Sequence, residues 1–205
     1  MKKIKLNLGC GVRALRDFIN VDKFITEKGI KSHKGFFINS IWEKGAKFVQ
    51  ADILKLPFPN DYADYIEMIE VIEHLRFRDV IPAFKEIRRV MKKGAKLLFT
   101  CPNFDGLAID WLQMKCRMGE QFDPVTYVNV MMSIMGNQVG LDEGEIHKSL
   151  FNPQWTNFCL VQSGFKGGEI LIYSKGTPIV KIGERGEIGK HRGFRNDTLL
   201  VTAIK

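Results

Sequence analysis

Apolar residues recur along this chain in short runs cut by glycine, proline and acidic residues, with helical spacing between some of the runs. The first run, Ile4 to Leu8, meets the turn Gly9-Cys10-Gly11, and the second, Phe18 to Val21, ends at Asp22. Each is long enough for a buried parallel strand, and paired glycines allow the sharp turn between them. Only Val12 to Asp17 separate the turn from the second strand, enough for a turn or two of helix. Lys47 to Asp52 predicts a third strand ending in an acid, with an apolar, proline-bearing loop behind it to Phe58. Ala63 to Leu75 predicts a fourth strand running into a short helix, and Gly94 to Thr100 a fifth, ended by Pro102.

Between the fourth and fifth strands, Asp79-Val-Ile-Pro82 predicts an aspartate-capped helix start and Gly94 its stop. Phe84, Ile87 and Met91 make one apolar face of that helix, and its lysines and arginines take the solvated side. After a long excursion from Phe104 to Leu150, Asn152-Pro153 opens a second helix that Gly164 closes, with Trp155, Phe158, Cys159 and Val161 expected inward. Glu169 to Tyr173 and Thr198 to Ile204 are β-branched and predict two last strands. Strands and helices alternate through Thr100, which is the pattern of an α/β sheet.

Composition narrows the class. A chain of 205 residues, 45% of them hydrophobic, suits one domain with a single core spanning 1–205. The four cysteines are scattered without a C-x-x-C pair, and His147 has no sequence neighbour at zinc spacing, so neither a disulfide framework nor a metal site is expected. No apolar run is long enough to span a membrane and the start leads directly into a strand, so a cytoplasmic protein is expected. The net charge of +8 raises the question of nucleic acid, but it is spread between the first helix and a glycine-rich stretch holding Lys181, Arg185, Lys190, Arg192 and Arg195. That stretch, 181–195, reads as a phosphate-contacting flap or as a solvated hairpin loop.

The glycine turn and the acids behind the strands carry the chemistry. Asp22, at the carboxyl end of the second strand, can accept hydrogen bonds from two ribose hydroxyls, as expected of a nucleoside cofactor at the switch point of an open α/β sheet. Asp52 can accept from an exocyclic adenine amine while Leu54 or Phe58 covers the ring. Gly9-Cys-Gly11-Val-Arg-Ala14 also fits a dinucleotide fingerprint, but there the acid follows roughly 20 residues on, after a full helix. A nicotinamide-dependent oxidoreductase therefore conflicts with the short gap before Asp22.

Asn7-Leu-Gly-Cys-Gly11, Ile19-Asn-Val-Asp22, Ala51-Asp-Ile53 with Leu56-Pro-Phe58, Glu70-Val-Ile-Glu-His-Leu75 and Ser163-Gly-Phe165 occur in the order seen in class I methyltransferases that use S-adenosylmethionine. The chain resembles that family from Ile4 to about Pro102, most closely its small-molecule type, such as ubiquinone-pathway O-methyltransferases. The resemblance implies a Rossmann-like open twisted sheet of about seven strands, the last antiparallel, with helices on both faces. It implies S-adenosylmethionine as cofactor and S-adenosylhomocysteine as product. The methionine end would lie over Gly9, Cys10 and Gly11, the ribose on Asp22 beside Lys23, the adenine between Asp52, Ile53 and Leu54, and the backbone of Ile69 and Glu70 near the sulfonium. Two positions depart from the family pattern: Asn7 stands where an acid is usual, and Arg13 where a third glycine is. The acid helps to hold the cofactor's amino group, so Asn7 changes that contact; Arg13 either pairs with the methionine carboxylate or lies on an exposed helix face.

The implied reaction is methyl transfer to an oxygen or nitrogen of a small-molecule or glycan-type acceptor. Residues 104–150 are expected as a helical, substrate-covering insertion, with Trp111, Met114, Met118, Phe122, Tyr127, Met131, Met132 and Met135 lining a pocket or packing helices together. His147 is the candidate general base, because an imidazole titrates near neutral pH; Glu145 would orient it, and His74 is the less favoured alternative. Adenine amino-methylation is disfavoured, since Glu67-Met-Ile-Glu70 stands where those enzymes carry an Asn/Asp-Pro-Pro turn. Cytosine-C5 chemistry at Cys101 is disfavoured too, because the accompanying Pro-Cys is missing, so Cys101 reads as a small buried residue. A noncatalytic protein holding a phosphate-rich partner through the late basic loop is the alternative from another class.

Overall fold

A computed structural model describes residues 3–24, 41–118, 124–136, 146–166, 168–173 and 198–205. Its centre is β1 (Lys5–Leu8), flanked by parallel partners on both edges: β3 (Ile19–Asp22) on one side and β6 (Ala63–Ile69) on the other. Leu6 and Leu8 point to one face of β1 and are buried, and Asn7 between them is buried on the other. β5 (Lys47–Gln50) adds outside β3, and β7 (Met91–Pro102) outside β6, both parallel. β9 (Thr198–Ile204) then runs antiparallel between β7 and β8 (Gly168–Tyr173). The order β5-β3-β1-β6-β7-β9-β8 is the expected seven-stranded Rossmann-like sheet with the last strand reversed. One sheet thus takes strands from both ends of the described chain.

Helix α1 (Val80–Val90) buries Val80, Ala83, Phe84, Ile87 and Val90, the three-and-four spacing of one helical face, and Phe84 meets Phe99 of β7 at 5.3 Å between ring centroids. Helices α2 (Phe104–Met118) and α3 (Pro124–Met135) follow β7 and touch through an edge-to-face Trp111–Tyr127 pair. The side chains of Met114 and Met118, and all of Phe122, lie outside the described residues. Met132 and Met135 are exposed, so they are not core. Helix α4 (Pro153–Gln162) starts as expected: Asn152 Oδ1 accepts from the Trp155 amide at 2.8 Å, and proline occupies the first turn.

Local expectations fail in four places. The short helix between the glycine turn and β3 is absent; Arg13–Ala14 form a small strand, β2, paired with β4 (Ile41–Trp42). The Asp79 side chain caps nothing, because a 3-10 turn over Phe77–Asp79 leads into α1 and Asp79 itself is already helical. Helix α1 ends at Val90; Met91 starts β7, pairing with Ala63, and Gly94 is a left-handed kink inside that strand whose amide reaches the Lys205 carbonyl. In α4 the inward residues are Thr156, Cys159 and Leu160, while Phe158 and Val161 are about half exposed. Phe158 instead continues a stacked ladder on the surface, Phe77–Trp155–Phe158, with centroid spacings of 4.6 and 5.3 Å.

Candidate functional site

The switch point of the sheet lies where β3 and β6 diverge from the end of β1. Gly9 (φ +60°) and Gly11 (φ +52°) both adopt the left-handed conformation there, but for different reasons. A Cβ on Gly9 would press into the Val71 side chain, 2.7 Å from Cγ1 and closer still to Cγ2. Gly9 therefore lets the turn after β1 and the turn after β6 pack together. A Cβ on Gly11 would meet nothing within 4 Å, so the space over Gly11 is open. Cys10 is buried between them, its amide bonded to the Val21 carbonyl.

Asp22 closes the turn. Its Oδ2 accepts from the Gly11 amide and its Oδ1 from the Phe24 amide, both at 2.9 Å. One residue on, Lys23 Nζ lies 2.7 Å from Asp52 Oδ2, while the Leu54 amide bonds Asp52 Oδ1 at 2.9 Å. Burial acts to raise the Asp52 carboxyl, but the Lys23 hydrogen bond, the Leu54 amide and the Lys23 charge together hold it below the usual carboxylate range. Ile53 and Leu54 pack against the core from this loop, and Phe58 stacks on Tyr62 at 5.1 Å. Arg89 clamps the loop: it pairs with Glu86 through two nitrogens and donates to the carbonyls of Leu56 and Phe58, while Glu86 Oε1 also takes the Leu56 amide.

Ile69 ends β6, and Glu70 follows with φ +54°, a left-handed conformation uncommon for a residue with a side chain; its amide is held by the Thr100 carbonyl at 3.1 Å. This kink throws Val71 onto Gly9. The structure thus gathers Gly9, Gly11, Asp22 and the Ile69–Glu70 backbone around the switch point, with Lys23, Asp52, Ile53 and Leu54 following from the tips of β3 and β5.

Asn7 has a reason that its own position in the sequence does not show. It is fully buried, and its Nδ2 donates to the Arg13 carbonyl at 3.0 Å and to Asn20 Oδ1 at 2.9 Å. Asn20 is itself consumed, giving Nδ2 to the Leu15 and Lys47 carbonyls and taking the Leu15 amide. Only a donor fits between two acceptors, so the acid usual at this position would meet two oxygens. Asn7→Asp is expected to lose about 2–4 kcal/mol of stability at neutral pH and to recover part of it in acid as the carboxyl protonates. Urea unfolding at two pH values checks this; a variant as stable as the parent at pH 7 would mean that the Asn7–Asn20 pairing is wrong. Asn7 Oδ1, in contrast, is buried with no hydrogen-bond partner among the described residues, as is Arg13 Nε.

His147 sits apart from the glycine turn, in the segment returning from α3. Its ring meets His74 edge to face at 4.9 Å, a neighbour hidden in the sequence by 72 intervening residues. Burial first, then the His74 imidazole, push His147 down to about 4. A neutral imidazole offers a lone pair on one ring nitrogen, the form that either a general base or a metal ligand needs. His74 is also lowered, chiefly by burial. Glu145 and the basic residues of 181–195 lie outside the described residues. Cys101 is fully buried, and burial together with the charges of Glu73 and Glu70 raises its thiol well above the ordinary value, which makes it inert as a nucleophile.

A small cavity of about 10 Å³ lies beside Glu73, Pro102, Phe104, Leu107 and His147, and a groove of about 500 Å³ runs past Phe77, Ile134, Met135, Ile146 and Lys148 to the same histidine. No described helix is long and apolar enough to cross a membrane.

Comparison with known proteins agrees with this fold. The model of the methyltransferase domain family matches residues 6–99. Among solved structures, the chain is similar to an S-adenosylmethionine-dependent methyltransferase from Archaeoglobus fulgidus (TM-score 0.58, 17% identity, 99% of this chain and 86% of that one). It is similar to another from Mesorhizobium loti (0.55, 14%, 99% and 91%) and to human N-acetylserotonin methyltransferase in complex with S-adenosylmethionine (0.57, 14%, 99% and 47%). No curated protein matches.

Proposed function

We propose, from the premise that this chain carries a methyltransferase domain of the class I type, that it transfers the methyl group of S-adenosylmethionine to an oxygen or nitrogen of a small-molecule or glycan-type acceptor. The observation that carries the reading is the pairing of an open space over Gly11 with Asp22 hydrogen-bonded directly beneath it. A backbone turn without a Cβ, an acid at one strand tip and a second acid at the next suit an adenosyl group laid across the strand ends.

Each residue then has a task. Asp22 accepts from the ribose hydroxyls, and Asp52 takes the adenine amine beside Lys23, with Ile53 and Leu54 against the ring. Arg13 takes the carboxylate of the methionine end, while Asn7, sealed beneath the turn, holds the turn's backbone through the Arg13 carbonyl. The left-handed Glu70 aims the Ile69–Glu70 backbone at the sulfonium region. When bound, S-adenosylmethionine supplies a methyl group on a sulfonium that is already a good leaving group. The chain's contribution is to align the acceptor with that methyl and to exclude water.

Residues 104–150 follow β7, whose end borders this region, and we assign them to cover the acceptor. The groove at His147 has an apolar wall of Phe77, Ile134, Met135 and Ile146 with Lys148 at its rim, which favours an acceptor with an apolar body and a polar group. Calorimetric titration with S-adenosylmethionine and S-adenosylhomocysteine, with NAD as control, tests the cofactor: micromolar binding of the first two alone is expected, and binding of NAD alone would overturn it.

A further inference from the structure

A glutamate and histidine adjacent in the sequence meet a second histidine from a distant segment beside the acceptor groove. Glu73 and His74 end a 3-10 turn, Ile72–His74, that follows the kink at Glu70, and His147 comes from the segment after α3. One ligand atom from each side chain can be chosen so that all three lie within 4.8 Å of one another. Glu73 Oε1 is 4.0 Å from His74 Nε2.

The imidazoles are held in the orientation that metal ligands need. His74 Nδ1 lies 3.1 Å from the Ile146 carbonyl and His147 Nδ1 3.2 Å from the Ile134 carbonyl. A carbonyl only accepts, so in each neutral ring Nδ1 carries the hydrogen and Nε2 keeps its lone pair. This is the outer hydrogen bond found behind ligating histidines, which fixes the tautomer and the ring plane. It occurs at both rings, from two different segments.

The backbone locks the three together. The amides of Lys148 and Ser149 both donate to the Glu73 carbonyl, at 2.7 and 3.0 Å, Ser149 Oγ reaches the Ile72 carbonyl, and the His147 amide is bonded to the Met135 carbonyl. His147 is therefore braced on either side, against the turn that carries Glu73 and His74. Glu73 is 1% exposed, so its carboxylate stands in a medium where a cation is worth far more than in water.

We propose that Glu73, His74 and His147 bind one divalent first-row transition ion of the Zn2+ type. Two imidazole nitrogens and one carboxylate oxygen are the borderline donors such ions prefer, and three protein ligands leave a coordination position open. Ligand bonds of about 2.1 Å require the three atoms to draw in by less than about 1 Å each, within reach of side-chain rotation. The cavity of about 10 Å³ against Glu73 and His147 has the size of one water, the natural fourth ligand. The groove along Ile146 and Lys148 brings a larger molecule to the same corner.

The role of the ion, which rests on the methyltransferase reading, is to hold and acidify an acceptor hydroxyl. The coordinated hydroxyl releases its proton to solvent, an oxygen lone pair forms the new C–O bond to the methyl carbon, and the C–S bond breaks with its electrons returning to sulfur as a thioether. This narrows the acceptor from any oxygen or nitrogen compound to one with a hydroxyl that can bind a metal, such as a phenol or a sugar alcohol.

The test uses the full chain, stripped with a chelator and dialysed, and titrated with Zn2+ against a chromophoric competitor, with Co2+ as a spectroscopic probe. One Zn2+ per chain at micromolar affinity or tighter is expected, with Co2+ absorption of a low-coordinate nitrogen and oxygen site. His147→Ala and His74→Ala should each weaken Zn2+ by about 100-fold or more, while circular dichroism and S-adenosylmethionine binding stay as in the parent. Glu73→Gln, which keeps the volume in a buried place, should weaken it comparably. No binding at micromolar Zn2+, or binding equally tight in a folded His147→Ala protein, overturns the site. Stoichiometric Zn2+ binding by a chain that ignores S-adenosylmethionine upholds the site and overturns the reaction assigned to it.

Discussion

Asp22→Ala should lower S-adenosylmethionine affinity by at least tenfold, and toward a hundredfold, while the chain stays folded. A pair of hydrogen bonds from ribose hydroxyls to a carboxylate is worth at least about 1.4 kcal/mol, which is a factor of ten. The structure adds a second contribution. Asp22 also holds the Gly11 amide and the Phe24 amide, so its removal loosens the turn that forms the floor of the site. Two lost backbone bonds at a half-buried position should cost about 1–2 kcal/mol of stability, too little to unfold a sheet centred on β1. Asp22→Asn separates the two effects. An amide keeps one acceptor oxygen but brings an NH2 against a backbone amide, so it should retain most of the stability and still lose most of the affinity. Calorimetry and thermal unfolding on the two variants check this; unchanged affinity in Asp22→Ala would mean that the ribose lies elsewhere.

The strands were legible because alternate positions along each are apolar and buried, as Leu6 and Leu8, Ile66 and Met68, and Leu97 and Phe99 show. Asp22 and Asp52 stand at or just beyond the tips of β3 and β5, as the runs before them predict, and each also holds backbone amides there. What could not be read were contacts between residues distant in sequence. Nothing around Val71 says that it fills the space above Gly9, and nothing around Asn7 says that Asn20 has already used its own donors. The apparent helix before β3 failed for a related reason: Arg13 and Ala14 find a strand partner in Ile41 and Trp42, and that pairing overrides a local preference. His147 looked solitary because its partners, Glu73 and His74, arrive from the turn after β6, more than 70 positions earlier in the chain. Spacing rules find metal ligands within one segment; they do not find a site closed by two.

The glycine turn makes the sharpest division between folding and binding. Gly9→Ala should destabilise the chain by about 2–4 kcal/mol, because it adds the left-handed backbone penalty of about 1–2 kcal/mol to an overpacked contact with Val71. Gly11→Ala carries the same backbone penalty but no clash, so it should lose only about 1–2 kcal/mol. Their effects on the cofactor run the other way. The new methyl on Gly11 enters the open space proposed for the methionine end, so Gly11→Ala should bind S-adenosylmethionine much more weakly in a protein that remains well folded. Val71→Ala supplies the control, since it removes both methyls that the Gly9 substitution would strike. In the double variant the Gly9→Ala penalty should shrink by about 1 kcal/mol or more, a coupling readable in a double-mutant cycle by urea unfolding. Strict additivity would show that Val71 is not the obstacle. Normal cofactor binding by Gly11→Ala would show that the space over Gly11 is not the cofactor's, and would move the methionine end off the glycine turn.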